Sequence, residues 1–97
     1  TRKKGRVNEL KVKAMLEAQG WEVELVHGGT GWQKATDFFG LWDIIAIRKG
    51  KILWVQVKSN SLPSPAYRKA LSSFQGPGTR ELWIIKDRIK EPRIINL

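Results

Sequence analysis

The stretch that decides the fold is Asp-Ile-Ile-Ala-Ile-Arg-Lys-Gly-Lys-Ile-Leu-Trp-Val-Gln-Val-Lys, residues 43–58. It contains two runs rich in β-branched and apolar residues, 43–48 and 51–58, which are separated by Lys49-Gly50. A two-residue connection that ends in glycine is typical of a tight turn, because glycine readily adopts the positive φ that such turns need. The stretch therefore predicts an antiparallel β-hairpin.

The two-residue turn also predicts the register of the hairpin. If the strands pair directly across the turn, Asp43 lies opposite Gln56, and opposed residues project to one face with Cβ atoms about 5 Å apart. Lys58 projects to the same face because it follows Gln56 by two residues. One face therefore gathers a carboxylate, a carboxamide and an ammonium group, unless a bulge at the turn glycine shifts the register by one residue.

Between the turn and these polar residues, both strands are apolar over residues 44–47 and 52–55. Strands with such continuous apolar runs are typically buried on both faces of a sheet. The polar residues at the open end of the hairpin would then lie at the rim of the core, within reach of a bound ligand.

Two helices and three further strands are predicted around the hairpin. In chain order they are a helix over Val7–Gln19, a strand over Trp21–Val26, a helix over Ala66–Phe74, a strand over Glu81–Lys86 and an edge strand over Arg93–Leu97. Gly20 suits the end of the first helix, and Ser64-Pro65 suits the start of the second. The order α-β-β-β-α-β-β predicts one small α/β domain over residues 1–97, with a central mixed sheet flanked by helices.

The first helix offers two apolar stripes at helical spacing. The main stripe contains Val7, Leu10, Ala14 and Ala18. A second stripe contains Val12 and Leu16, and Glu9 is aligned with them, so its carboxylate could face the sheet. A carboxylate in the first turn is also favoured by the helix dipole without any catalytic role.

The chain is strongly basic, with 18 Lys and Arg residues against 9 Asp and Glu residues among 97, a formal net charge of +9. A charge of this size favours a polyanionic partner, most often nucleic acid. Cysteine is absent, which excludes disulfides, thiolate metal sites and a cysteine nucleophile, and a single histidine argues against a histidine-rich zinc site. No apolar run approaches the roughly 20 residues of a membrane span and no signal peptide is visible, so we expect an intracellular, cytoplasmic protein with no membrane partner.

The order of the polar residues resembles that of a known nuclease motif. Asp43, a hairpin and then Gln56-Val57-Lys58 resemble the PD-(D/E)XK motif, with glutamine at the position of the second acid. Together with the helix that opens at Asn8-Glu9, this order is similar to that of archaeal-type Holliday junction resolvases and virus-type replication-repair nuclease (VRR-NUC) domains. The resemblance covers about residues 5–86 and implies a restriction endonuclease-like fold.

The resemblance also implies a role for each of these residues. Asp43 would bind a divalent metal, Mg²⁺ or Mn²⁺, together with the side-chain oxygen of Gln56 and the main-chain carbonyl of Val57. Lys58 would orient the attacking water and stabilise charge at the phosphate, and Glu9 would hold a metal-bound water or a second ion. Hard cations with oxygen ligands suit phosphodiester hydrolysis. Because glutamine is neutral, the site should bind Mg²⁺ more weakly than a site with two acids.

The predicted function is that of a metal-dependent DNA endonuclease, a phosphodiester hydrolase acting on duplex or branched DNA such as Holliday junctions in repair or recombination. Resolution of a junction requires two active sites, so this function predicts a homodimer. Two alternatives remain open. One is a non-catalytic DNA-binding module with the nuclease fold, and the other is a basic RNA-binding domain in which the motif is coincidental.

Further side chains are predicted to contact the nucleic acid, and they are Arg2, Lys3, Lys4, Arg6, His27, Thr30, Lys34, Ser59, Arg68 and Lys69. Asp37 is a second candidate for the metal-binding acid, although it lies outside the hairpin pairing. Trp32 and Trp42 flank the hairpin on its N-terminal side and could stack on unpaired bases, although packing in the core is the stronger expectation for both.

Overall fold

The computed structural model describes the backbone of residues 2–25 and 41–97, and the side chains of residues 7–25 and 41–97. Its elements are α1 (Arg2–Ala18), β1 (Glu22–Leu25), β2 (Ile44–Arg48), β3 (Lys51–Ser59), α2 (Pro65–Ser72), β4 (Thr79–Ile85) and β5 (Arg93–Asn96). This order confirms the predicted arrangement. Within these ranges, no helix is both long enough and apolar enough to cross a membrane.

The described strands form one mixed sheet in the order β1-β2-β3-β4-β5. β3 and β4 run parallel, and the other neighbouring pairs are antiparallel. The parallel pair is joined by a connection that contains α2, because parallel strands need a long crossover. β3 and β4 therefore end at the same edge of the sheet, beside the start of β2.

The hairpin between β2 and β3 has the predicted register. Both turn residues, Lys49 and Gly50, have positive φ, 51° and 78°, as a tight two-residue turn requires. Regular pairing runs to Ile44 and Val55 at the start of β2. Beyond it, the main-chain N–H of Asp43 also turns to β3 and donates a hydrogen bond of 3.0 Å to the carbonyl of Val55. The predicted register therefore holds up to Ile44 and breaks at Asp43, because in direct pairing with Gln56 this N–H would point away from β3.

The hydrophobic core lies on both faces of the sheet. On one face, Val12 and Leu16 of α1 pack against alternate residues of the strands. On the other face, Trp42 and Trp54 pack with Leu71 of α2. Alternation along β3 places its odd-numbered residues on the α1 face and its even-numbered residues on the α2 face.

The main apolar stripe predicted for α1 is not a core face, which corrects the expectation from spacing. Val7 and Leu10 are 49% and 47% exposed, whereas Val12 and Leu16 are 0% and 1% exposed. In the middle and last turns of α1, the main stripe offers only Ala14 and Ala18, whereas the second stripe offers Val12 and Leu16. Burial of the larger side chains of the second stripe removes more apolar area from water. The helix also begins earlier than predicted, at Arg2.

The second helix begins as predicted and ends earlier. The side chain of Ser64 accepts a hydrogen bond of 3.2 Å from the N–H of Tyr67, and Pro65 occupies the first turn. Phe74, predicted as the last helical residue, lies beyond the helix and packs its ring edge-on against Trp54, with ring centroids 5.0 Å apart. The helix therefore ends at Ser72, two residues before the predicted end.

Candidate functional site

The buried polar side chains of the described residues converge on one edge of the sheet. They are Asn8, Asp43 and Gln56, which are 4%, 7% and 7% exposed. Asp43 immediately precedes β2, Gln56 lies near the end of β3, and Asn8 on α1 reaches the last residue of β3. A buried polar group is costly unless it is hydrogen-bonded, so three of them at one edge indicate an organised polar site.

Asp43 is tied to the neighbouring strand by two hydrogen bonds. Its Oδ2 accepts a bond of 2.9 Å from the main-chain N–H of Val57, and its own N–H donates to Val55. The carboxylate thus takes the place that a main-chain carbonyl would occupy if the strand pairing continued. A hydrogen bond to an ionised acceptor is stronger than a neutral one, so the position of this carboxylate is well defined.

The main-chain carbonyl of Val57 lies on the Asp43 side of β3. In an extended strand, the N–H and C=O of one residue point to the same neighbouring strand. The N–H of Val57 reaches Asp43, and the regular pairing of β2 with β3 has already ended at Ile44 and Val55. The Val57 carbonyl therefore points toward the predicted metal site.

The carboxamide of Gln56 lies against two oxygen atoms. Its hydrogen bonds are satisfied when Nε2 donates to Oδ2 of Asp43, at 3.3 Å, and to the main-chain carbonyl of Leu41. With the amide turned over, Oε1 of Gln56 would face these same two oxygens. Such a convergence of oxygen atoms is unfavourable unless a proton donor or a cation lies between them.

These donors fit a hard divalent cation. Asp43 supplies a carboxylate, and Gln56 and Val57 supply neutral carbonyl oxygens, which are the ligand types that Mg²⁺ prefers. Within residues 7–25 and 41–97, no group of three or more acidic or histidine side chains is placed to hold a metal ion. A cation at this edge would therefore depend on one carboxylate and on neutral oxygens.

Lys58 and Ser59 end β3 on opposite faces of the sheet. Lys58 is half-buried and shares the α2 face with Gln56, as the register predicts. Ser59 is half-buried on the α1 face, where its Oγ accepts a hydrogen bond of 2.6 Å from Nδ2 of Asn8. The hydroxyl predicted to contact nucleic acid therefore also joins α1 to β3.

Asn8 is the site residue that sequence reasoning missed. It lies one turn before Val12 on the buried stripe of α1, so an alignment of Asn8 with the second apolar stripe was the available signal. Its bond to Ser59 brings the turn that carries Glu9 to the end of β3. Glu9 is half-buried in that turn and is itself engaged in an interaction within the chain.

The predicted nucleic-acid contacts fall only partly within the described residues. Arg68 is half-buried and Lys69 is exposed on α2, whose Leu71 packs with Trp42 and Trp54 on the sheet face opposite α1. The side chains that lie outside the described residues are those of Arg2, Lys3, Lys4, Arg6, His27, Thr30 and Lys34, together with those of Asp37 and Trp32.

Trp42 packs in the core and presents no surface on which a base could stack. It is fully buried, and its ring lies edge-on to Phe74 with centroids 5.4 Å apart. The packing role expected for Trp42 is therefore confirmed. The neighbouring Leu41 carbonyl accepts a hydrogen bond of 3.4 Å from the hydroxyl of Tyr67, which links α2 to the segment before Asp43.

Comparison with known proteins identifies a structural relative. No protein-family model matches the chain, and no curated protein matches its sequence. The fold is similar to that of Hjc from Archaeoglobus fulgidus, a Holliday junction resolvase from an archaeal hyperthermophile, with a TM-score of 0.60. This chain has the fold of that resolvase. The similarity covers 95% of this chain and 88% of the resolvase at 17% sequence identity, so it establishes the shared α/β architecture.

Proposed function

We propose that residues 1–97 form a single nuclease domain of the PD-(D/E)XK type, which hydrolyses phosphodiester bonds in DNA with a divalent cation and selects branched DNA. The observation that supports this most directly is the convergence of Asp43, Gln56, Val57 and Lys58 at one edge of a resolvase-like sheet. The net charge of +9 supports a nucleic-acid substrate.

Asp43 and the carbonyl oxygens of Gln56 and Val57 would hold the cation, Mg²⁺ or Mn²⁺. When bound, the cation supplies positive charge that polarises the phosphate and makes a nearby water more acidic. The hydrogen bond from the Val57 N–H keeps the carboxylate of Asp43 in place before any ligand arrives. The preformed part of the site is therefore the carboxylate and the Val57 carbonyl.

Gln56 has to turn over its carboxamide before it can act as a ligand through oxygen. Turning it breaks the hydrogen bonds from Nε2 to Asp43 and to Leu41, each with a net value of about 1 kcal/mol. Neutral glutamine also offers less attraction to a cation than a carboxylate does. We therefore infer that this site requires a higher cation concentration than a site with two acids.

Lys58 would act on the reacting phosphate. Hydrolysis adds a water oxygen to phosphorus, breaks one P–O bond and transfers a proton to the oxygen that leaves. Negative charge grows on the phosphate oxygens during this step, and a fixed ammonium group stabilises it. Glu9 would hold an attacking water or a second ion from the α1 side.

Cleavage of a Holliday junction needs two cuts, so we propose that two copies of the chain act together as a homodimer in the cell interior. Arg68 and Lys69 on α2 lie on the helix above the Lys58 face and would contact the phosphates of one arm. The side chains of Arg2, Lys3, Lys4 and Arg6 on α1, with His27, Thr30 and Lys34, are proposed as further contacts.

The test is cleavage of a labelled four-way junction and of a linear duplex with Mg²⁺ or Mn²⁺. Wild type should cut the junction faster, and Asp43→Asn should lose at least about a hundredfold in rate. The matched control is Glu22→Gln, which removes an exposed carboxylate from β1 and should cut normally. Equal cleavage by wild type and Asp43→Asn would reject the site.

A non-catalytic DNA-binding module is the second candidate, because Gln56 removes one acid from the expected motif. It predicts tight junction binding with no cleavage by any variant and with either metal. An RNA-binding domain predicts instead that RNA displaces junction DNA in a competition titration. The same protein samples therefore separate the three functions.

A further inference from the structure

A basic groove lies beside the candidate site, on the α1 face of the sheet. It has a volume of 520 Å³ and is formed by α1 and by the loop between β4 and β5. Its charged lining residues are Lys11, Lys86, Asp87, Arg88 and Lys90. Each of these five side chains is solvent-exposed, so the groove carries four cations and one carboxylate.

The groove lies at the same edge of the sheet as the candidate site, on the opposite face from Lys58. Asn8 lines the groove and donates its 2.6 Å hydrogen bond to Ser59, the residue after Lys58. The parallel pairing of Ser59 with Ile85 brings the end of β4, where the basic loop starts, to the same edge. Lys58 lies on the other face of the sheet from the groove, so a polyanion bound at Lys58 would reach the groove around the end of β3.

Asn60 holds the basic loop in position. Its N–H donates to the carbonyl of Ile85 at 2.9 Å, and its Oδ1 accepts from the N–H of Asp87 at 2.9 Å. Its Nδ2 also donates to Oδ2 of Asp87 at 3.4 Å. The first residues of the loop are thus hydrogen-bonded to Asn60, the residue that follows β3. These bonds fix the position of the loop relative to the edge of the sheet where the candidate site lies.

Arg88 occupies a backbone conformation that arginine disfavours. Its φ is +66°, in the left-handed region where glycine or asparagine is less strained. Arg88 is the third residue of the turn that the N–H of Ile89 closes onto the carbonyl of Lys86 at 3.2 Å, which accounts for this conformation. The turn places Arg88 in the lining of the groove.

We propose that this groove binds the phosphate backbone of the DNA beyond the cleaved bond, through Lys11, Lys86, Arg88 and Lys90. The proposal rests on the proposed function, because the DNA is taken to be the substrate held at Asp43 and Lys58. Phosphate is the favoured ligand for two reasons. The groove adjoins that site, and its lining has four exposed cations but one carboxylate. Arg88 can bind phosphate in a bidentate manner, and the lysines act as point charges.

The test compares Arg88→Gly with Lys49→Gly. Lys49 also has a positive φ, 51°, but lies in the hairpin turn at the opposite end of β3. Both variants lose one cation and relieve a left-handed backbone, so they match in charge and in strain. Neither is expected to lower the melting temperature, which circular dichroism would verify.

Binding is measured by fluorescence anisotropy with a labelled four-way junction and a duplex of equal length, in EDTA, over a series of salt concentrations. Arg88→Gly should reduce the slope of log affinity against log salt by about 1, equally for both DNAs. Addition of Lys86→Gln should reduce it by about 2 in total. Lys49→Gly should keep the wild-type slope.

Equal slopes for wild type, Arg88→Gly and the double variant would contradict phosphate binding by the groove. A loss of slope in Lys49→Gly equal to that in Arg88→Gly would contradict it as well. That result would leave the proposed function intact, because wild type would still bind and cut DNA. If the variants show the predicted slopes but the wild type never cleaves DNA, the proposed nuclease activity is contradicted and the proposed phosphate binding by the groove is supported.

Discussion

The two ends of the β2–β3 hairpin both carry polar residues, in very different environments. At the turn end, the Arg48 guanidinium lies 4.7 Å from the ring centroid of Trp21 and donates to the Gln19 carbonyl at 2.7 Å, with its neighbours exposed. At the open end, Asp43 and Gln56 are buried and bonded to each other's strands. Burial of polar groups, more than charge, therefore distinguishes the candidate site.

The largest expected effect compares the two lysines of β3. Lys58→Met should lower the cleavage rate about a hundredfold or more, because it removes the ammonium that faces the reacting phosphate. Lys51→Met, at the exposed turn end of the same strand, should cleave like wild type. Single-turnover cleavage of a labelled junction measures both variants. An equal loss of cleavage rate in Lys58→Met and Lys51→Met would show that Lys58 has no special role in cleavage.

The next effect concerns the neutral residue of the open end. Gln56→Glu should lower the Mg²⁺ or Mn²⁺ concentration for half-maximal cleavage about tenfold, which corresponds to about 1.4 kcal/mol of cation binding. Without metal, the melting temperature should fall, because a second carboxylate beside Asp43 adds repulsion in a buried site. Added cation should reverse that fall.

Gln75→Glu is the control for this change, because Gln75 is exposed outside the site. It should leave both the metal requirement and the melting temperature unchanged. If Gln56→Glu behaves like Gln75→Glu in calorimetric Mn²⁺ titrations, the cation is not held at residue 56.

The smallest effect compares stabilising contacts at the two ends. Asn8→Ala should cost about 1–2 kcal/mol in the free energy of unfolding, since it removes a part-buried hydrogen bond to Ser59. Arg48→Met should cost about 1 kcal/mol through the loss of the Trp21 contact. Urea denaturation measures both costs. Only Asn8→Ala should also slow cleavage, because only that bond positions α1 beside the site.

Local patterns were enough to predict the hairpin and its register. The turn at Lys49-Gly50 and the apolar runs on either side specify which residues pair, because the geometry of a two-residue turn leaves one register. Regular pairing stops one residue short of Asp43, so the contact between Asp43 and Gln56 depends on their side chains rather than on the register. The start of α2 could also be predicted from local sequence, because Ser64 caps the helix by accepting a hydrogen bond from Tyr67, three positions away.

The face of α1 was not predictable in the same way. Two stripes of that helix had helical spacing, and the choice between them depends on which side chains fill the space above the sheet. Asn8 was missed for the same reason, because its partner Ser59 is 51 residues away in the chain. Contacts at such separation are decided by packing rather than by any pattern within a segment.

The sequence by itself therefore determined the element order and the hairpin register up to Ile44, because both depend on patterns and contacts between near neighbours in the chain. Tertiary structure alone decided that β4 lies parallel to β3 and that its following loop joins α1 to form a basic groove beside the site. The physical reason is that burial of the two faces of the sheet selects which distant segments meet at its edge.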